Sequence, residues 1–262
     1  MSSYFLRPLA AVGIVLVCYV ALQVLAVFFF ALVGIGYALL PSFVLAVIAP
    51  ILLVTRIHSP SVRVTLRLLA VRPAPVIFTI GASFSFILLQ YNVAGLLERL
   101  FPMPVWIQDF LLEMTRIRNL AEFLRVAGGV VLAASVAEEL LFRGFLQGSL
   151  EAKHGRWPAI VVTSLLFAVL HDPWRFVPVF FIGALLGYLA SRGGSIYYAM
   201  VAHAVTNSTS VAGRNIFGME SGAELALPAV LMPIAALVFV LSLLGFVRTA
   251  GAETRAPSSP PG

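Results

Sequence analysis

The chain has 262 residues, 61% hydrophobic and 11% charged, with mean hydropathy +1.02 and net charge +6. A soluble domain carries roughly 45–50% apolar and about 25% charged residues, so the composition excludes a water-soluble globule and a disordered chain. The lone Cys18 excludes a disulfide scaffold, and the basic balance reads as loop arginines that orient a membrane protein, with no nucleic-acid partner expected.

A helix that crosses about 30 Å of hydrocarbon needs roughly 20 mostly apolar residues. Eight segments approach this in chain order: Leu9–Val33, Ala38–Ile57, Pro75–Leu97, Val126–Leu150, Pro158–His171, Pro173–Ser191, Ser195–Ala212 and Leu227–Val247. The expected fold class is therefore an all-α polytopic membrane protein of about eight transmembrane helices. The fifth span is short. Pro158, Pro173 and Pro228 fall where a first helical position belongs, Gly193-Gly194 ends one helix, and Ser195 is placed to cap the next. The apolar run after Arg7 is too long for a signal-peptide core and reads as a retained first span. The Pro- and Ser-rich tail from Gly251 to Gly262 reads as disordered and carries no prenylation signal.

The loop from Glu98 to Arg125 is the one long connection, and Trp106 to Met114 within it mixes apolar and charged residues at helical spacing. It is expected to lie in the membrane interface, as a surface connector or as a gate to a buried site. With the N-terminus cytoplasmic, inside segments hold ten Lys and Arg residues and outside segments six, which places both termini in the cytoplasm. The expected division is an N-terminal three-span region (1–125), a core (126–212), and a last span with the tail (213–262).

Charges inside apolar segments are few: Glu138, Glu139, Arg143, His171 and His203, with Asn207 beside them. An ionised group at mid-membrane costs roughly 2.5–3.5 kcal/mol even on lenient scales, and its default reading is a functional interior site; helix–helix glue is the alternative. Glu139 and Arg143 stand four apart and share a helix face, so they can neutralise each other. Glu138 points about 100° away and has no local partner. An unpaired acid in low dielectric suits proton abstraction near neutral pH, which gives Glu138 the chemistry and the Glu139–Arg143 pair a supporting role.

Phe167 and His171 share a face at the end of the fifth span, where a neutral imidazole can orient a water or accept a proton. His203 and Asn207, four apart on the seventh span, can donate hydrogen bonds to an oxyanion. Gly183 and Gly187 on the sixth span allow close helix approach, and Gln90 and Asn92 on the third can also reach the interior but read first as glue. A polar cavity is expected between the fourth, fifth and seventh spans, with His203 turned away from lipid.

Glu138-Glu139-x-x-x-Arg143, Phe167-x-x-x-His171 and His203-x-x-x-Asn207, in this order, resemble the three motifs of the CAAX-protease and bacteriocin-processing (CPBP, or Abi) intramembrane protease family. The likeness covers about Val130 to Ser210. It implies a hydrolase that cuts a peptide bond of a membrane-associated protein or peptide near its terminus. In this reading Glu138 and His171 activate a water, His203 and Asn207 hold the oxyanion, and Glu139 and Arg143 support them. No cofactor is expected. The alternative within the same resemblance is a zinc metalloprotease with Glu138, His171 and His203 as ligands, although His-Glu-x-x-His is absent.

No Gly-x-Ser-x-Gly elbow and no internal repeat points to another class. The non-enzymatic alternative is a membrane immunity factor or a transporter, with Glu138 and His171 as a proton relay. One lysine against sixteen arginines suggests a GC-rich, bacterial source, and hence a bacterial cell membrane.

Overall fold

The computed structural model describes residues 7–34, 37–217 and 228–250. The expected tail at 251–262 and the start of the expected last span lie outside the described residues. The described residues form helices and their connections, with no strand among them. In chain order the main helices are α1 (Pro8–Val33), α2 (Leu39–His58), α3 (Pro73–Leu100), α4 (Val105–Thr115), α5 (Leu120–His154), α6 (Arg156–Val169), α7 (Pro173–Gly193), α8 (Ile196–Phe217) and α9 (Ala229–Ala250).

The protein is an all-α polytopic membrane protein. Among the described residues, six helices, α1, α2, α3, α5, α7 and α9, are long and apolar enough to cross a membrane. The remaining two of the eight expected spans exist as helices but do not meet that description: α6 has only 14 residues, and α8 carries His203, Thr206, Asn207, Thr209 and Ser210 along its length. α5 is longer than expected. Asn119 accepts the Glu122 N–H and caps a helix that starts at Leu120, inside what reads from sequence as loop.

Helix boundaries follow local chemistry. Gly155 (φ 80°) separates α5 from α6, and Gly194 in the left-handed region (φ 71°) stops α7. Ser195 Oγ then accepts the Tyr197 N–H at the start of α8 while donating to Leu69 O. Asp172 accepts the Arg175 N–H where α7 begins.

The buried core lies where α1 (Ala11, Val15), α2 (Phe43, Val47, Ile51) and α5 (Ala137, Leu141, Leu146) meet. α3 packs along α8 and α9, with Gly81 against Ser242 and Phe78 against Gly245. α6 packs on α7 and α7 on α8. Apolar side chains on the outward faces of α1 and α9, such as Val20, Val24, Leu237 and Leu241, are exposed, as expected for surface that contacts lipid tails.

One end of the bundle is sealed by the connection between α2 and α3. Its Leu66 is fully buried, with its carbonyl and side chain against Gly144 of α5. Arg67 O accepts the Ile196 N–H, and Arg67 pairs with Glu151. Arg72 donates to Thr249 O. At the other end, α4 is held by side chains at both of its termini. Gln108 and the Met103 N–H donate to Glu98, and Arg214 donates to Leu111 O and Thr115 Oγ1.

Candidate active site

α5 contains two stretches of wider, π-helical turns, Val126–Ala133 and Leu140–Leu146, around the α-helical turn Ala134–Glu139 that carries both glutamates. Such turns leave backbone groups without their usual partners and recur at functional sites. Here Val130 O accepts a hydrogen bond from Asn207 Nδ2 of α8 (3.1 Å).

From Glu139 onward, every fourth residue of α5 is polar. Glu139, Arg143, Gln147 and Glu151 form a ladder down one face. Arg143 Nη1 donates to Glu139 Oε1 (2.9 Å), and its Nη2 donates to Gly183 O (3.1 Å). Gln147 Nε2 donates to Glu151 Oε1 (2.8 Å) and to Gly187 O (2.9 Å). Glu151 pairs with Arg67. The ladder thus meets α7 at two glycine carbonyls four residues apart. A Cβ on Gly183 would stand 3.2–3.3 Å from Ser164 and Phe167, and one on Gly187 would stand 2.8 Å from Gln147 Oε1, so the absence of side chains sets the helix spacing. Glu139 and Arg143 are both 0% exposed. The guanidinium also lies 4.4 Å above the Phe167 ring, a favourable cation–π placement.

Glu138 faces the other way. Its side chain is 18% exposed, and its Oε2 atom is buried with no hydrogen-bond partner. That oxygen lies 3.9 Å from His171 Nε2 and 3.8 Å from His203 Nε2. Each separation exceeds a direct hydrogen bond, and because Oε2 is enclosed the side chains must part slightly to admit a bridging water.

The second nitrogen of each imidazole defines what the first can do. His171 Nδ1 lies 2.6 Å from Phe167 O. A carbonyl only accepts, so Nδ1 carries the hydrogen and Nε2 of the neutral ring presents a lone pair. His203 Nδ1 lies 2.8 Å from Glu139 Oε1, the oxygen that also receives Arg143. With Glu139 ionised, Nδ1 donates there too, and His203 Nε2 becomes a donor only when the ring is an imidazolium. The sequence expectation that His203 and Asn207 are two free donors is therefore modified. One ring nitrogen of His203 is committed to Glu139, and Asn207 spends one amide hydrogen on Val130 O.

Phe167 is the common wall. It is 2% exposed, its ring stands 4.4 Å from the His171 ring and is perpendicular to His203 at 6.2 Å, and it lies between Arg143 and the cavity.

Glu138, His171, His203 and Asn207 all line one cavity of about 430 Å³. His203 is buried, not turned toward lipid. The cavity is wider than the space between α5, α6 and α8 expected from sequence. α3 contributes Gln90 and Tyr91, α4 contributes Leu111 and Met114, and the start of α7 contributes Trp174 and Arg175.

Sequence reasoning passed over several of these residues. Gln147 and Glu151 continue the four-residue step begun by Glu139 and Arg143, a signal that was present but went unread past Arg143. Tyr91, which hydrogen-bonds Ser210 across α3 and α8 (2.9 Å), gave no such signal. The expectation that Gln90 acts as glue is not met: its carboxamide bonds no other helix, and its Oε1 is buried without a partner. Asn92 donates to Leu88 O of its own helix.

For the zinc alternative, ligands about 2.0–2.1 Å from the ion would lie about 3.4 Å apart in a tetrahedron. The observed separations from Glu138 are 3.9 and 3.8 Å. Among the described residues no group of three or more His, Cys, Asp or Glu is placed to hold a metal ion. As they stand, the two separations from Glu138 are wider than that figure.

Fold and site together define the class: a polytopic helical membrane protein with an acid and two imidazoles gathered on a cavity inside the bundle. Residues 120–209, from the start of α5 into α8, match the family described as type II CAAX prenyl endopeptidase Rce1-like. The resemblance read from the three motifs is thus met over the segment that contains them. No curated protein and no solved structure matches the chain. The matched family supports, in general terms, a CAAX-protease-like intramembrane endopeptidase embedded in the membrane with a membrane-associated peptide substrate.

Proposed function

We propose that the protein hydrolyses a peptide bond near the terminus of a membrane-associated protein or peptide, using a water activated by Glu138 and His171. The observation that carries this reading is the unpaired Glu138 Oε2, 3.9 Å from a His171 Nε2 that presents a lone pair. A water about 2.8 Å from each atom donates one hydrogen to the carboxylate and the other to the imidazole. Its own lone pair is left facing the cavity.

The chemistry then balances on these residues. The water oxygen attacks the scissile carbonyl carbon as its proton passes to Glu138. The oxyanion is held by the second amide hydrogen of Asn207 and by Nε2–H of His203 with its ring doubly protonated. When the C–N bond breaks, Glu138 returns the proton to the leaving nitrogen. Arg143 and Glu139 hold the His203 ring in place and do not touch the substrate. No step calls on a metal.

Replacing Glu138 by Gln removes the base and keeps the shape. Glu138→Gln is expected to lower cleavage at least about a thousandfold while the protein inserts and melts as the wild type does. Wild-type cleavage by this variant would overturn the proposal; a purely structural or immunity role tolerates the change. Activity is expected to survive exhaustive chelation, and a loss restored only by zinc would move the reading to a metalloprotease. Peptide mapping of membrane proteins from cells with and without Glu138→Ala is the route to the substrate.

The arginine count favours both termini in the cytoplasm, which puts α4, Arg175 and Arg214 on the opposite side. A membrane-impermeant maleimide added to intact cells is then expected to label Trp106→Cys. Labelling only after the membrane is opened would invert the orientation.

A further inference from the structure

The cavity has a wall that the matched family segment does not supply. α3 lies outside residues 120–209, yet Ile87, Gln90, Tyr91, Ala94 and Glu98, spaced at one helical face, line the same cavity as Glu138. The polar groups of this wall differ in one respect. Tyr91 pairs with Ser210, and Glu98 accepts from Met103 and Gln108. Gln90 is 6% exposed and its Oε1 is enclosed without a partner, so the carboxamide turns into the cavity it lines only when a ligand meets it.

A buried carboxamide without partners is costly to keep, because its water hydrogen bonds are lost and nothing replaces them. A leucine of similar size would fill the place without that penalty. What distinguishes glutamine is its chemistry: an acceptor oxygen and a donor nitrogen side by side, the complement of a peptide group's N–H and C=O. A peptide lying in the cavity would bring such a group whatever its side chains.

We propose that Gln90 is a substrate-binding residue whose carboxamide pairs with a main-chain peptide group of the chain being cut, fixing which bond meets the water at Glu138. This rests on the hydrolase reading above. It assigns α3 the task of reading the backbone, beside the residues Glu138, His171, His203 and Asn207 that do the chemistry. Discrimination through unpaired buried polar groups is strong, so a substrate lacking the matching N–H is rejected at one position only.

The test uses the full-length protein in detergent micelles and a library of short internally quenched peptides. The best-cleaved member is then resynthesised with each backbone N–H methylated in turn. For the wild type, one methylated position is expected to lower kcat/KM by about tenfold beyond its neighbours. Gln90→Leu is expected to lower kcat/KM on the unmodified peptide by about tenfold and to lose the extra sensitivity at that position, with Tm unchanged or raised. Gln90→Met provides the same comparison if the leucine variant folds poorly.

A helix-glue role would lower Tm and leave the methylation pattern intact, and that result overturns the inference. So does a kcat/KM within about twofold of wild type. Cleavage that depends on Glu138 but not on Gln90 overturns this inference alone, whereas a library the wild type leaves uncut overturns both.

Discussion

Glu138 and Glu139 are neighbours in the chain and belong to different regions of the molecule. Glu139 faces the packed seam between α5 and α7. It is fully buried, with Oε1 bonded to Arg143 and His203 and Oε2 enclosed without a partner, and it is continued by Gln147 and Glu151. Glu138 faces the cavity, where nothing in the protein bonds its Oε2. The difference teaches how one helix turn serves two purposes. A 100° step separates the two side chains, so one carboxylate spends an oxygen on structure while its neighbour is turned to the cavity.

That contrast can be broken from the seam side first. Arg143→Leu strands Glu139 as a buried charge beside α7, and is expected to cost about 3–5 kcal/mol, read as a large fall in Tm in micelles. Gly183→Val should come next. Its added atoms meet Ser164 and Phe167 where a Cβ alone already stands at 3.2–3.3 Å, an overpacking expected to cost about 1–3 kcal/mol. Gln147→Leu removes one rung and leaves Gly187 O without its donor. A loss of about 1 kcal/mol is expected.

The cavity side sharpens the comparison in the opposite sense. Glu138→Gln is expected to move stability by less than about 1 kcal/mol, since Oε2 has no bond to lose, while removing activity. A thermal shift as large as that of Arg143→Leu would erase the distinction between the two regions.

Much of this arrangement was legible because the bilayer makes polar residues conspicuous. Against a lipid-like background the four-residue spacings Glu139–Arg143, His203–Asn207 and Gly183–Gly187 stand out, and each pair shares a face in the structure. The seam's continuation did not stand out. Gln147 and Glu151 fall near the end of an apolar segment, where polar residues are expected in any case.

Span ends were the weaker reading for a similar reason. Leu120 to Arg125 is as mixed as an interfacial loop, and only the Asn119 cap shows that α5 begins there. What the imidazoles donate or accept was not legible at all. It depends on which group meets Nδ1: a carbonyl from the same helix for His171, and a carboxylate from α5 for His203. Gln90 was misread because spacing places a side chain on a face without saying whether anything waits opposite.

The α2–α3 connection has a consequence for traffic. Leu66 and the Arg67–Glu151 pair close the bundle beside Gly144, and none of the three is among the residues that line the cavity. The lining of the cavity runs from Glu138 toward α4 and the start of α7, so on the hydrolase reading the substrate end enters, and its fragments leave, on the α4 side.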